Sequence, residues 1–114
     1  MKKNILSEPS CSKCGIEYAF KRIGGKYKAR IIWNLKTNGE LRFGELTRLL
    51  PDSSTKMLTQ VLRELETDQL ISRKVFHQVP PKVEYSLTPT GQELIPFLKH
   101  LDDWGIAQMA NEVL

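Results

Sequence analysis

The sequence predicts a mainly α-helical fold with one small β-hairpin, built as a single domain. Three observations predict it. Apolar residues recur at helical spacing in five stretches between Ile16 and Trp104. Alternating Val83, Tyr85 and Leu87 follow a Pro80-Pro81 pair, as a half-buried strand after a turn should. The 114 residues are 40% hydrophobic and 26% charged, which suits one core and leaves little for a second.

Residues 1–13 read as an irregular, frayed segment, and residues 14–114 as the domain. Ile16, Ala19, Phe20 and Ile23 make the first helical stripe, and Gly24-Gly25 stops it, because glycine accepts the left-handed conformation a helix end needs. Tyr27, Ile31, Ile32 and Leu35 mark a second helix, closed by the turn signal Asn38-Gly39. Leu41-Arg42-Phe43 is a short extended piece, and Phe43, Leu46, Leu49 and Leu50 give a third, short helix. Pro51 disfavours helical geometry at Leu50, and the Asp52-Ser53-Ser54 side chains are suited to cap the next helix.

The fourth helix, residues 54–66, is the clearest. Met57, Leu58, Val61, Leu62 and Leu65 form its apolar face, with Lys56, Thr59, Gln60 and Arg63 opposite. Strands are expected over 72–79 and 82–87. Thr88-Pro89 then opens a last helix, Thr as cap and Pro at the first helical position. Leu94, Phe97, Leu98, Leu101 and Trp104 make its apolar stripe, and Pro96 should kink it.

A short helix, a brief turn and a longer amphipathic helix make a helix-turn-helix candidate, and the hairpin after it is a wing. The polar face of the fourth helix carries side chains that suit base edges. Arg63 can pair with guanine, Gln60 with adenine, and Thr59 can meet a thymine methyl. Ser54, Thr55 and Lys56 stand at the helix start, where free N–H groups favour phosphate. On the wing, Arg73 and Lys74 point to opposite faces, and Gln78 and Lys82 near the tip are the favoured DNA contacts. The expected partner is double-stranded DNA; a winged helix used only for protein contacts is the alternative.

The net charge of +4 is unevenly spread. Residues 1–30 hold eight Lys/Arg against Glu8 and Glu17, a surplus of six; the remainder holds nine against eleven Asp/Glu, a deficit of two. The N-terminal part and the wing are therefore expected to supply much of the attraction to phosphate. No run of ~18 apolar residues exists to span a membrane, and the start carries no apolar signal core, so a cytoplasmic location is expected. No nucleophile–base–orienter set is visible, so an enzyme is not expected, nor is a cofactor.

These residues resemble the HxlR-type winged-helix transcriptional regulators of bacteria, from about Cys14 to Gly105. The resemblance rests on Ile23-Gly24-Gly25-Lys26-Tyr27-Lys28, Leu41-Arg42-Phe43-Gly44-Glu45-Leu46, Lys56-Met57-Leu58-Thr59-Gln60 and Leu62-Arg63-Glu64-Leu65-Glu66. It rests above all on Val79-Pro80-Pro81-Lys82-Val83-Glu84-Tyr85-Ser86-Leu87-Thr88, with Gly91 after it. The chain departs from the family pattern at Tyr27, where Trp is usual, and at Cys14-Gly15-Ile16-Glu17, where Cys-Pro-Val-Glu is frequent. The resemblance implies a homodimer joined mainly through the N- and C-terminal helices, on a near-palindromic operator, regulating nearby genes, often including its own; a repressor is the expected mode. Ile16, Phe20, Phe97, Leu101 and Trp104 are the expected interface residues, since the last helix is more apolar than one small core needs.

Cys11 and Cys14 form a lone Cys-x-x-Cys. A zinc site needs about four ligands, and neither His77 nor His100 has ligand spacing, so no metal is expected. A thioredoxin-like pair lacks its βαβ context. Two readings stay open, inert thiols or a redox or electrophile switch. Cys14 matches the family cysteine that in some members senses quinones, aldehydes or oxidants. A helix start and neighbouring Lys13 favour its thiolate, and Cys11 or a cysteine of a second copy is the candidate resolving thiol. The effector would then be a small electrophile or oxidant.

Overall fold

The structure, a computed structural model, describes residues 14–112. Cys11 and the segment expected to fray lie outside the described residues. The element order is α1 (Gly15–Ile23), α2 (Lys28–Asn38), α3 (Phe43–Leu49), α4 (Thr55–Thr67), β1 (Ile71–Phe76), β2 (Lys82–Leu87), α5 (Pro89–Gln92) and α6 (Ile95–Glu112). It is the predicted mainly α arrangement with one antiparallel hairpin.

The helix ends follow the local chemistry. After α1 the chain turns at Gly25, whose φ of +90° suits glycine and strains other residues. At the start of α3 the Glu45 carboxylate accepts the Arg42 N–H at 2.8 Å, as in a capping box. Ser54 caps α4 as the sequence suggests, its hydroxyl accepting the Met57 N–H at 3.0 Å. The core lies where α2, α3, α4 and the hairpin base meet. Ile31, Ile32, Leu46, Leu58, Leu65 and Ile71 are fully buried there.

The hairpin pairs Ile71 with Leu87 through to Phe76 with Lys82. The first strand stops at Phe76, short of the expected residue 79. Pro80 and Pro81 have no backbone N–H to donate, so the ladder cannot be carried to the tip. The extended piece expected over 41–43 reduces to Leu41, which exchanges backbone hydrogen bonds with Tyr85 at 3.0 and 2.8 Å. Phe43 already belongs to α3.

The expected kink at Pro96 takes another form. The last helix is split into α5 and α6, and Pro96 is the second residue of α6. In a first turn its missing N–H has no intrahelical partner to lose. The chain bends just ahead of it, where the Leu94 N–H reaches back to the Gly91 carbonyl at 3.1 Å, a tighter turn than α. Gly91 itself packs against the Leu70 carbonyl so closely that a Cβ there would collide with that oxygen. The Thr88 hydroxyl donates to the Gln69 carbonyl at 2.7 Å and accepts the Gly91 N–H at 2.9 Å, tying the wing base to the C-terminal helices.

One reading of a helix face is corrected. Met57 is not on the buried face of α4 but 42% exposed, because it lies at the margin of the apolar arc. In the C-terminal stripe Leu98 is buried and Leu94 half-buried, whereas Phe97, Leu101 and Trp104 turn outward. The stripe is two-sided.

Candidate nucleic-acid interface

Helix α4 is docked by its inner face. Leu58, Val61, Leu62 and Leu65 are buried, while Lys56, Thr59, Gln60 and Arg63 are exposed on the other side. The predicted polar face is therefore a single presented surface, with Ser54 and Thr55 exposed at its start. Thr59 donates its hydroxyl to the Thr55 carbonyl at 2.8 Å, so its methyl is the group left for apolar contact.

Two ionic ties hold this helix and its turn against α2, and sequence reasoning missed both. Arg30 makes a bidentate pair with Asp52, both bonds 2.9 Å. The Tyr27 hydroxyl donates to the Asp52 backbone carbonyl at 3.0 Å, and Lys26 lies 3.6 Å from the carboxylate. The Arg30 hydrogen bonds draw the Asp52 carboxyl down to about 2, assisted by its own backbone N–H and by the charge of Lys26. The second tie joins Lys28 to Glu64 at 2.8 Å. Glu64 also accepts the Gln60 amide N–H at 3.1 Å, and these hydrogen bonds, that of Lys28 first, lower its pKa.

These ties revise where the positive surplus acts. Lys26, Lys28 and Arg30 belong to the basic N-terminal part, yet each faces Asp52 or Glu64. Part of that charge therefore steadies the helix-turn-helix.

On the wing, Arg73, Lys74, His77 and Gln78 are exposed. Lys82 is half-buried, 3.4 Å from Glu84 and 4.3 Å from the centre of the Phe76 ring. Its charge is already partly offset by Glu84, whereas Gln78 stands exposed.

The residues expected at a dimer interface converge on one face. Ile16 and Phe20 of α1 and Phe97, Leu101 and Trp104 of α6 line an open apolar groove of about 1230 Å³. All five are more than half exposed. Cys14, the half-buried residue preceding α1, lines the same groove, as does His100, which the sequence reading left unassigned. Ile106 and Met109 extend the apolar surface along α6 and were likewise not anticipated. Among the described residues no cluster of His, Cys, Asp or Glu is arranged to hold a metal, and no helix is long and apolar enough to cross a membrane.

Comparison with known proteins agrees with this geometry. A family model described as HxlR-like helix-turn-helix matches residues 22–113. An HTH-type transcriptional regulator of Methanothermobacter thermautotrophicus is 48% identical over 92 residues, covering 81% of this chain and 70% of that one. The HTH-type transcriptional regulator YybR of Bacillus subtilis is 44% identical over 104 residues, covering 91% of this chain and 81% of its own. Among solved structures, the redox regulator HypR in its reduced form is similar with a TM-score of 0.80 and 41% identity, over 87% of this chain and 98% of that chain.

Proposed function

The chain belongs to the HxlR-like helix-turn-helix family and is a DNA-binding transcriptional regulator, and we propose that it acts as a homodimeric repressor on a near-palindromic operator. It works in the cytoplasm and without catalytic activity of its own. The observation that carries the reading is the exposed face of α4, where Lys56, Thr59, Gln60 and Arg63 stand together on a helix fixed by its buried side. Each copy lays this helix in the major groove of one half-site, with the two half-sites about one helical turn apart. Ser54, Thr55 and Lys56 meet phosphate at the helix start, and Gln78 and Lys82 place the wing beside them.

Binding measured at fixed salt separates these roles. Arg63→Ala is expected to relax base preference at its position, with a loss of about 1–3 kcal/mol on the preferred sequence. Lys82→Ala is expected to weaken all duplexes alike and to flatten the salt dependence by about one phosphate contact. Unchanged operator affinity in Arg63→Ala would show that α4 is not the reading helix.

Cys14 is proposed as the sensor of an oxidant or electrophile. The similarity to HypR, described as a redox regulator in oxidised and reduced forms, supports this, as does the position of Cys14 beside α1 in the apolar groove. Joining the Cys14 thiol to that of Cys11 or of a second copy forms one S–S bond and yields two protons and two electrons to the oxidant. An electrophile such as a quinone instead adds at sulfur. Either product alters the face on which α1 and α6 meet a partner. Mass spectrometry after mild oxidant or quinone should find Cys14 modified and operator affinity changed; an unmodified thiol with unaltered affinity would sink the idea.

A further inference from the structure

The Lys28–Glu64–Gln60 chain ends on the face that meets DNA, and its chemistry has a direction. Lys28 can only donate. Its side chain is 12% exposed, and its ammonium lies 2.8 Å from Oε1 of Glu64. The second carboxylate oxygen, Oε2, accepts from Nε2 of Gln60 at 3.1 Å. A carboxylate can only accept, so the Gln60 amide has one allowed orientation. Turned over, it would set its own oxygen against the Glu64 oxygen, two acceptors without a proton between them.

We infer that Glu64, clamped by Lys28, is a positioning residue that fixes the polarity of the Gln60 amide and thereby sets which base α4 selects. The inference rests on the reading of α4 as the base-reading helix. A glutamine free to turn over offers two patterns. With Oε1 and one N–H forward it pairs with the N6 amine and N7 of adenine. With its amine group forward it offers donors alone, which suit the O6 and N7 acceptors of guanine. Because Glu64 holds one N–H of Gln60, the remaining N–H and Oε1 are what the helix presents. That is the adenine pattern, and the guanine pattern is suppressed. Neither Glu64 nor Lys28 needs to touch a base.

Glu64→Gln supplies the sharp test, since it keeps the length and hydrogen-bonding capacity of the side chain. Lys28 would draw the new amide's oxygen to itself, leaving its amine group toward Gln60. Gln60 would then turn its oxygen inward and its donors outward. Selection of a randomised duplex library by the full-length chain reads the outcome at the base that Gln60 contacts, located as the position where Gln60→Ala loses its preference. The wild type should prefer adenine there, and Glu64→Gln should lower the adenine-to-guanine ratio by about tenfold or more. Lys28→Met should lower it in the same direction by less, since the carboxylate stays but is no longer held. A role for Glu64 confined to stability would lower the melting temperature and weaken all duplexes while leaving that ratio unchanged. If Gln60→Ala shifts the preference and Glu64→Gln does not, the positioning role is overturned while the helix reading stands. If Gln60→Ala changes no position, the reading of that face fails and this inference falls with it.

Discussion

Leu58→Ala is expected to destabilise the fold by about 3–4 kcal/mol, whereas Met57→Ala next to it should change stability by less than about 1 kcal/mol. Leu58 is fully buried at the point where α4 meets the core, and Met57 is 42% exposed. Removing the Leu58 side chain loses its transfer free energy and leaves a cavity that the surrounding Ile and Leu side chains fill only in part. Small domains have about 5–15 kcal/mol in total, so the variant gives up a large share of it. Guanidinium melts check this as a fall in midpoint at unchanged slope. Operator affinity should also fall, because Leu58 is one of the buried side chains that hold α4 to the core. Equal midpoints for the two variants would show that the inner face of α4 is assigned wrongly.

The contrast between these neighbours marks what was legible in the sequence. Local signals translated directly. Ser54 caps α4, Asn38-Gly39 closes α2 and Thr88-Pro89 opens the C-terminal region, because each depends on residues within one turn. The polar face of α4 was legible for the same reason, since period 3.6 places Lys56, Thr59, Gln60 and Arg63 together without reference to the rest of the chain. Met57 was misplaced because periodicity gives an angle and does not say where the neighbouring elements stop covering the arc. Tertiary pairs had no local signal. Arg30 and Asp52 are 22 residues apart, and Asp52 looked like a capping side chain until the fold brought α2 beside it. Lys28 and Glu64 carried no sign of their pairing for the same reason. That misled the reading of the N-terminal positive surplus, part of which steadies the helix-turn-helix. The C-terminal stripe was legible as apolar, with Phe97, Leu101 and Trp104 expected at an interface, yet which of its residues face the core was not. Leu98 faces the core and Phe97 faces away, and the choice depends on where α2 lies against α6.

The outward half of that stripe supports the other large expected effect. Leu101→Glu combined with Trp104→Glu should convert the proposed dimer to a folded monomer and lower operator affinity by about 10²–10⁴ at fixed salt. Both side chains are more than half exposed in the single chain, so charging them removes little packing within it. Across a two-fold interface each substitution occurs twice, and four new carboxylates would face an apolar groove formed with Ile16 and Phe20. Like charges taken out of water there are unfavourable enough to prevent association. The loss on DNA comes from linkage and not from any lost base contact. In a dimer, binding of the first helix brings the second to its half-site at an effective concentration in the millimolar range; a monomer must recruit it from solution. Light scattering coupled to size-exclusion chromatography reads the oligomeric state, and titration of a single half-site reads the intact α4. Affinity for that half-site should be nearly unchanged while affinity for the full operator collapses. A double variant that remains dimeric would place the interface elsewhere. One that is monomeric yet binds the full operator as before would show that the two half-sites are not read together.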